Sequence, residues 1–435
     1  MEEKKKVAFC SLGCKVNQYE TNAMAQKFLE RGYDVVEFSD FADIYIVNTC
    51  TVTSIADRKS RQMLRRAKEI NPNCLLVATG CYAQVASDEI KKIDEIDLII
   101  GNNEKKDIIS IIENFENENK IQISDVMYEE QYVEFGPTTY TEKTRAVIKV
   151  QDGCDRFCSY CLIPYARGHI RSRKIDDVIE EVEDIVKKGF NEIIVTGIHV
   201  ASYGRDFKDG TSLIDLLERL NSIEGLHRIR LSSIEPVIMT DEFIERLSKL
   251  EKICDHFHLS LQSGCTETLK RMNRRYTADE FMDATKRLRK KFPNAALTTD
   301  VIVGFPGETD EEFEKTYQFL KEIKFYQMHI FKYSQRKGTK AAVMPNQIDG
   351  SVKEERSKKL IELSRENELF YNKSYTGKEV EVLFEEVDGD YIKGHTKNYM
   401  MVKCKCDSEL LVNKLVNVKI TEANDEFLFG NIIKD

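Results

Sequence analysis

The chain has 435 residues, 41% of them apolar and 32% charged; at roughly 150 residues per domain this gives about three domains with apolar mass enough for separate cores. No apolar run is long enough to span a bilayer and the opening MEEKKKVAFC lacks a signal-peptide core, so the expected location is the cytoplasm, with no membrane partner. A net charge of −9 excludes a generic basic nucleic-acid binder, and twelve cysteines in a reducing compartment point away from a disulfide framework and toward metal ligation or thiol chemistry.

From Lys5 to about Phe115, short β-rich runs (VAFCSL, DIYIVNT, CLLVATG, IDLIIG) alternate with helical stretches, the pattern of an open α/β domain built on a parallel sheet. The first helix is expected to start at Asn17 as N-cap, with Glu20 three residues on, and to stop at Gly32. The second runs from about Ser54 to Ile70, is stopped by Asn71-Pro72, and carries Arg58, Lys59, Arg61, Arg65, Arg66 and Lys68 on its other faces. Residues 117–144 are acidic and weakly patterned and read as a linker with a strand or two. In 145–371, AVIKVQ, EIIVTG, HRIRLSS, HFHLSLQ, LTTDVIVGF and QMHIFKYS alternate with helical segments, which predicts a partial or complete parallel barrel with its chemistry at the C-terminal strand ends. A charged helix from about Ser351 to Tyr371 leads into 372–435, where five short strands predict a small β-barrel of a kind that often holds RNA. The fold class is thus α/β, in the order 1–116, 117–144, 145–371 and 372–435.

Cys154, Cys158 and Cys161 form C-x3-C-x2-C just after the first strand of the second unit. A loop of that length can wrap three thiolates around one [4Fe–4S] cube, and since a cube normally takes four ligands, one iron is left open. An open iron can chelate the amino and carboxylate groups of S-adenosylmethionine, whose reductive cleavage yields a 5′-deoxyadenosyl radical. Zinc would want a fourth ligand, for which His169 is the local candidate. Cys14, Cys50 and Cys81 each lie just past a strand, in SLGCKVNQYE, VNTCTVTS and TGCYAQ. Singly, each reads as an inert buried thiol. Parallel strands, however, bring all their C-terminal ends to one sheet edge, so three recurrences in successive βα units predict a second three-thiolate set. Cys10, Cys74, Cys254, Cys265, Cys404 and Cys406 complete no ligand set and are read as structural.

The C-x3-C-x2-C loop resembles that of the radical S-adenosylmethionine superfamily, and the two cysteine sets followed by a C-terminal barrel resemble its methylthiotransferases over nearly the whole chain. The resemblance implies a methylthiotransferase domain, a radical barrel and a terminal RNA-binding barrel of the TRAM type. It implies two [4Fe–4S] clusters, on Cys14, Cys50, Cys81 and on Cys154, Cys158, Cys161. It also implies S-adenosylmethionine contacts at Thr196 and Gly197, at Ser233 and Glu235, at Gln262, and at Gly304 beside the adenine. No ionisable catalytic side chain is implied, although Asn17 and Tyr165 lie close enough to the cysteines to tune the sites.

SLGCKVNQYE and VNTCTVTS most resemble the branch that converts N6-threonylcarbamoyladenosine at position 37 of transfer RNA to its 2-methylthio derivative. The isopentenyladenosine branch and the branch acting on a ribosomal-protein aspartate are same-chemistry alternatives; a non-catalytic iron–sulfur or zinc RNA-binding regulator is the alternative from another class. The implied partners are the tRNA anticodon stem-loop, a flavodoxin- or ferredoxin-like electron donor and a sulfur donor. Eight Lys or Arg residues between Lys143 and Lys174, against two acids, point to a polyanion docking beside both cysteine sets. The last barrel, with eight Lys against twelve acids from Tyr375 onward, would need a local basic face, such as Lys393, His395, Lys397, Lys403 and Lys405 with Tyr391 or Tyr399 stacking on a base.

Overall fold

The computed structural model describes residues 4–115, 120–136, 138, 144–406 and 408–433. The first unit is a six-stranded parallel sheet in the order β2-β1-β3-β4-β5-β6, formed by β1 (Lys6–Ser11), β2 (Asp34–Val36), β3 (Ile44–Thr49), β4 (Leu75–Gly80), β5 (Leu98–Ile100) and β6 (Ile121–Gln122). Its crossovers are α1 (Lys15–Glu30), α2 (Ser54–Ile70), the short α3 (Cys81–Val85) and α4 (Ser87–Ile90), and α5 (Ile108–Glu113). Alternate strand residues bury opposite faces. Val7, Ile46 and Val77 pack with Met24 and Phe28 of α1 on one side, while Ala8, Val47 and Ala78 pack with Leu64 and Ala67 of α2 on the other. Thr53 caps α2 by accepting from the Ala56 N–H.

Within the described part of 117–144, β6 extends the sheet and Val133 and Phe135 are buried against Tyr19 and Ala23 of α1. One expectation is corrected here. Helix α1 is capped at Cys14, three residues earlier than expected, which places Asn17 and Glu20 inside the helix and fully buried. The Asn-x-x-Glu spacing that looks like a capping box serves a different purpose, described below.

The second unit has six parallel strands, β7 (Arg145–Asp152), β9 (Glu192–Gly197), β10 (Arg228–Leu231), β11 (His256–His258), β12 (Ala296–Val303) and β13 (Gln327–Lys332), with the short antiparallel β8 (Arg171–Ser172) beside β7. Parallel bridges Ile229–Ile253 and Ile234–Leu259 join the two halves into one open barrel. The helices are α6 (Ile163–Arg167), α7 (Ile175–Lys187), α8 (Leu213–Asn221), α9 (Asp241–Leu247), α10 (Thr266–Arg271), α11 (Ala278–Lys291) and α12 (Asp310–Ile323). Capping boxes Ser212/Asp215, Thr277/Glu280 and Thr309/Glu312 start α8, α11 and α12.

Helix α13 (Gly350–Lys373) leads to a closed barrel, β14-β15-β16-β18-β17, of β14 (Glu379–Asp388), β15 (Tyr391–Thr396), β16 (Met401–Lys405), β17 (Leu415–Ala423) and β18 (Leu428–Ile432). It seals the end of the open barrel where the strands begin. Arg228, the first residue of β10, donates to the Glu381 carboxylate at 2.8 Å and to the His395 carbonyl at 3.1 Å, and Arg230 donates to the Lys397 carbonyl at 3.2 Å. Among the described residues no helix is long and apolar enough to cross a membrane.

Candidate active site

Strands β1, β3 and β4 are neighbours, so the residues that follow them meet at one sheet edge. Gly13, at φ +95°, turns the β1 loop so tightly onto β3 that a Cβ there would lie 2.6 Å from the Cys50 Sγ. Only glycine permits that approach. Asn17 ties the two loops together by donating to the carbonyls of Leu12 (2.8 Å) and Thr49 (3.0 Å). Cys81 opens α3 directly after Gly80, itself at φ +96° and pressed on Thr49. The three thiols feel one another: burial first, and then the neighbouring Cys81, push the Cys14 thiol up, while burial pushes Cys50 up to about 12, with Cys81 and Cys14 adding to it. Thiols gathered at one sheet edge are what a metal group would displace protons from on binding.

The sequence-predicted second set converges as well. Gly153, at φ +73°, lets the chain leave β7 against the His169 carbonyl, and the Cys154 N–H donates to the Gly168 carbonyl at 3.0 Å. The loop is pinned from the far side of the barrel, where Asn273 donates to the Phe157 carbonyl at 2.9 Å and the Ser159 N–H to the Met272 carbonyl at 3.0 Å. The Ile163 N–H and an Arg274 N–H point at the sulfurs of Cys161 and Cys158, each at 3.4 Å. Burial raises Cys154 to about 12, with Cys158 adding to it, and raises Cys161 further.

Neither trio has the compact spacing of a single-ion site. Among the described residues, the one group whose ligand atoms all lie within 4.8 Å of one another is His258, Asp300 and His329. A tetrahedral zinc would draw its sulfurs to about 3.8 Å from each other. His169, the candidate fourth zinc ligand, instead sets its Nδ1 2.6 Å from the Asp155 carboxylate. A set of three thiols suits a cube with one open iron.

Between the two trios lies a buried charge network that sequence reading missed. Arg167, at the end of α6 and wholly buried, donates to the Cys81 Sγ (3.2 Å) and the Asn17 Oδ1 (2.7 Å) and pairs with Glu20. Lys105 and Lys149 hold Glu20 at 2.5 and 2.8 Å, and Lys149 holds Asp152 at 2.6 Å. Burial alone would raise the Glu20 carboxyl, but Arg167, Lys105 and Lys149 hold it well below its usual range. Four cations, counting Arg171, thus face two carboxylates beside Cys81, an excess of the sign that thiolate-bound iron requires.

This burial also corrects the basic-patch expectation. Lys149, Arg156, Arg167, Arg171 and Arg173 are internal partners of carboxylates, Arg145 pairs with Glu385 at 3.1 Å, and Lys143 lies outside the described residues. The arginine-rich face of α2 does remain at the surface. Lys393 and Lys403, expected on an RNA-facing side of the last barrel, lie within 3.6 Å of Asp388.

A cavity of about 670 Å³ joins the units, lined by Cys14 and Lys15 from the sheet edge, Thr196, Gly197 and Ser233 from the barrel, and Tyr399 from the C-terminal barrel. The remaining predicted cofactor residues are not in its wall. Glu235 is buried in ion pairs with Arg156 (2.5 Å), Arg274 (3.1 Å) and His199 (3.2 Å). Burial works against its ionisation, but the bond from His199 and the Arg274 and Arg156 charges lower its pKa to about 2. Gln262, at φ +70°, follows β11 and bridges to Val301 on the neighbouring β12. Gly304, at φ +69°, is covered by the Lys353 side chain, and its N–H is held by Glu308 at 2.7 Å.

An open parallel barrel with a three-cysteine loop past its first strand defines the class of radical S-adenosylmethionine enzymes. The radical SAM superfamily matches residues 148–320, the uncharacterized family UPF0004 residues 6–101 and the TRAM domain residues 373–433. A threonylcarbamoyladenosine tRNA methylthiotransferase of Bacillus subtilis is 43% identical over 98% of this chain and 96% of its own, and one from Aquifex aeolicus is 42% identical over 95% and 100%. A tRNA-2-methylthio-N(6)-dimethylallyladenosine synthase of Caldicellulosiruptor saccharolyticus is 37% identical over 97% and 91%. In fold, the chain is similar to the radical S-adenosylmethionine methyltransferase TsrM from Kitasatospora setae, solved with cobalamin and a [4Fe–4S] cluster (TM-score 0.56, 14% identity, 78% of this chain and 77% of that one). The chain belongs to the radical S-adenosylmethionine methylthiotransferase family. With the family come its cofactors, S-adenosylmethionine and two [4Fe–4S] clusters.

Proposed function

We propose that this protein is the methylthiotransferase that converts N6-threonylcarbamoyladenosine at position 37 of transfer RNA to its 2-methylthio form, with the anticodon stem-loop as its RNA partner. The observation that carries the reading is the convergence of Cys14, Cys50 and Cys81 at one sheet edge, with Cys14 in the wall of the cavity that also holds Thr196, Gly197 and Ser233. Full-length likeness to tRNA methylthiotransferases supports it.

Cys154, Cys158 and Cys161 hold the cluster that takes S-adenosylmethionine, and Cys14, Cys50 and Cys81 hold the second. When bound, these groups supply the electron, the radical and the methylthio group. The chain's own contribution is positional. Arg274 and the Ile163 N–H donate toward the sulfurs of the first trio, Arg167 toward Cys81, and Thr196, Gly197 and Ser233, which line the cavity with Cys14, serve the cofactor in this reading. Of the other candidates, Gln262 and Gly304 act from outside the cavity wall and Glu235 by fixing Arg156 and Arg274. Segments 1–116, 145–371 and 372–435 then serve as sulfur-transfer, radical and RNA-binding units, with Val133 and Phe135 of 117–144 packed between the first two. The setting is the cytoplasm, with a flavodoxin- or ferredoxin-like reductant and a separate sulfur donor.

The test separates the two trios. Cys158→Ala should abolish reductive cleavage of S-adenosylmethionine; Cys50→Ala should spare cleavage and abolish 2-methylthio product in nucleoside mass spectrometry. Circular dichroism on both variants controls for unfolding, since metal binding couples to folding. Equal loss of cleavage in two folded variants would refute the division of labour.

A further inference from the structure

Among the described residues, Arg58, Lys59, Arg65 and Arg66 of α2 are exposed and make no ion pair or side-chain hydrogen bond. Their spacing of three, four and seven residues puts them on one face, with Gln62 between, opposite the Ser60, Leu64 and Ala67 that α2 buries. A shallow groove of about 470 Å³ runs along this face, and Glu69 is the one acid in its lining. Like charges three and four residues apart, such as Arg58 and Arg61 or Arg61 and Arg65, weaken a helix. Helix α13 shows the usual remedy in this chain, pairing Lys358 with Glu354 and Lys359 with Glu314. In a chain of net charge −9, an uncompensated row of cations is a cost unless an anion meets it.

The row starts beside the active site. Helix α2 follows closely on Cys50, and between them Val52 stands in the cavity wall; Val52 and Ile55 are each more than half exposed. The start of the helix is fixed to the radical unit, since Arg336 donates to Asp57 at 2.5 Å and to the Thr51 hydroxyl at 2.8 Å, and the Ser54 N–H donates to the Ser334 hydroxyl at 3.2 Å. The same loop carries Lys337 and Lys340, both exposed and likewise without an ion pair or side-chain hydrogen bond among the described residues. Its Ala341 N–H donates to the Ser159 carbonyl of the C-x3-C-x2-C loop at 2.7 Å. Free cations from both units thus meet at the segment that holds Val52.

We propose that the exposed face of α2, with Lys337 and Lys340, holds the phosphate backbone of the transfer-RNA stem whose loop delivers the target base to the cavity. The inference rests on the methylthiotransferase reading and adds to it where the RNA docks. From Arg58 to Arg66 the helix rises about 12 Å, and a duplex sets a phosphate every ~3.4 Å of axis on each strand, so about three or four phosphates lie along the row. Guanidinium forks match phosphate oxygens, while Val52 and Ile55 offer apolar surface to bases that leave the stack. Contacts of this kind set position without reading sequence, so the choice of base stays with the cavity. A row that leads away from Cys50 along a helix suits an extended polyanion held at one end by its loop; a compact acidic reductant would need its contacts gathered round a cluster.

The test uses the full-length enzyme with both clusters reconstituted and tRNA bearing threonylcarbamoyl at A37. Arg58→Gln with Lys59→Gln, and Arg65→Gln with Arg66→Gln, should each weaken tRNA binding about tenfold at ~0.15 M salt and make the fall of log affinity with log salt shallower by about 1.5. KM for tRNA should rise, while kcat at saturating RNA, RNA-independent cleavage of S-adenosylmethionine and an iron content of about eight per chain stay as in the wild type. Lys286→Gln with Lys290→Gln, which removes two exposed cations from α11, should leave affinity and salt slope unchanged. Wild-type affinity and slope in both α2 variants would overturn the proposal, and so would an equal loss in the α11 control. Variants that bind tRNA normally but lose turnover with flavodoxin, and not with dithionite, would overturn it in favour of an acidic reductant. A wild type that binds this tRNA with a slope lost in the α2 variants, yet forms no methylthio product, would overturn the methylthiotransferase reading and leave the docking surface standing.

Discussion

Replacing Gly13 with alanine isolates the geometry on which the N-terminal site depends. The added Cβ would sit 2.6 Å from the Cys50 Sγ and 2.8 Å from its Cβ, whereas ordinary contact begins at 3.4 Å. The sulfur must therefore retreat by about 0.8 Å, several times the roughly 0.2 Å within which metal–ligand distances hold. Neighbouring backbone cannot absorb the shift, because Asn17 bonds the β1 and β3 loops to each other. A side chain at φ +95° adds about 1–2 kcal/mol of backbone strain. Gly13→Ala should retain about four of about eight irons per chain, keep reductive cleavage of S-adenosylmethionine, and lose methylthio transfer. Gly32→Ala supplies the control: its φ is +94°, but nothing lies within 4 Å of the new Cβ. It should cost about 1 kcal/mol in denaturant unfolding and keep both clusters. Iron and sulfide analysis with electron paramagnetic resonance reads the outcome. A Gly13→Ala protein with eight irons and wild-type product formation would refute the reasoning.

Arg167→Met removes a wholly buried guanidinium and leaves Glu20 and Asp152 to the lysines; breaking such a network should cost about 3–5 kcal/mol, measured by urea unfolding, and should lower iron at the Cys81 site more than at the Cys158 site. Glu192 gives a pH prediction. Burial opposes its ionisation, but Arg230, with Arg145 and Arg228, holds the carboxyl below its ordinary 4.5. Its contribution is therefore fully present above the unfolded value and lost as pH falls through the lowered one. Wild-type stability should drop more steeply than that of Glu192→Gln below about pH 4.5, as followed by thermal melts across an acid series; parallel acid limbs would refute this.

The six cysteines were legible because their signals are local. C-x3-C-x2-C is confined to one loop, and the other three recur at the same place in successive βα units, so a parallel sheet alone brings them together. The strands of the open barrel and the closed C-terminal barrel were legible from period and turn residues for the same reason. What escaped was everything set by contacts distant in sequence. Glu20 meets Lys105, Lys149 and Arg167, 85 to 147 residues away, and no spacing rule encodes such a meeting. Asn17 and Glu20 mislead in addition because Asn-x-x-Glu is what a helix start looks like, while the true cap, Cys14, makes no side-chain cap bond. The basic run from 143 to 174 misleads because sequence counts charges without their partners, and Glu134, Glu181, Asp152 and Glu235 neutralise most of it from within.

Arg167 explains how the two sites keep a fixed relation. Helix α6 is a single short element, and it begins at Ile163, two residues after Cys161, and ends at Arg167 on Cys81. At about 1.5 Å per residue it spans only some 7.5 Å. Its end is locked on both sides, by the Asn102 side chain donating to the Ala166 carbonyl at 2.7 Å and by Arg171 donating to the Arg167 carbonyl at 2.8 Å. The separation of the trios is thus set by one covalent segment as well as by packing between units. Opening the interface would strip Arg167 from Glu20 in a buried setting, at a cost of several kcal/mol. A base therefore has to reach the cavity through its existing mouth, where Val52, well exposed in the wall and two residues past Cys50, offers apolar surface to a ring.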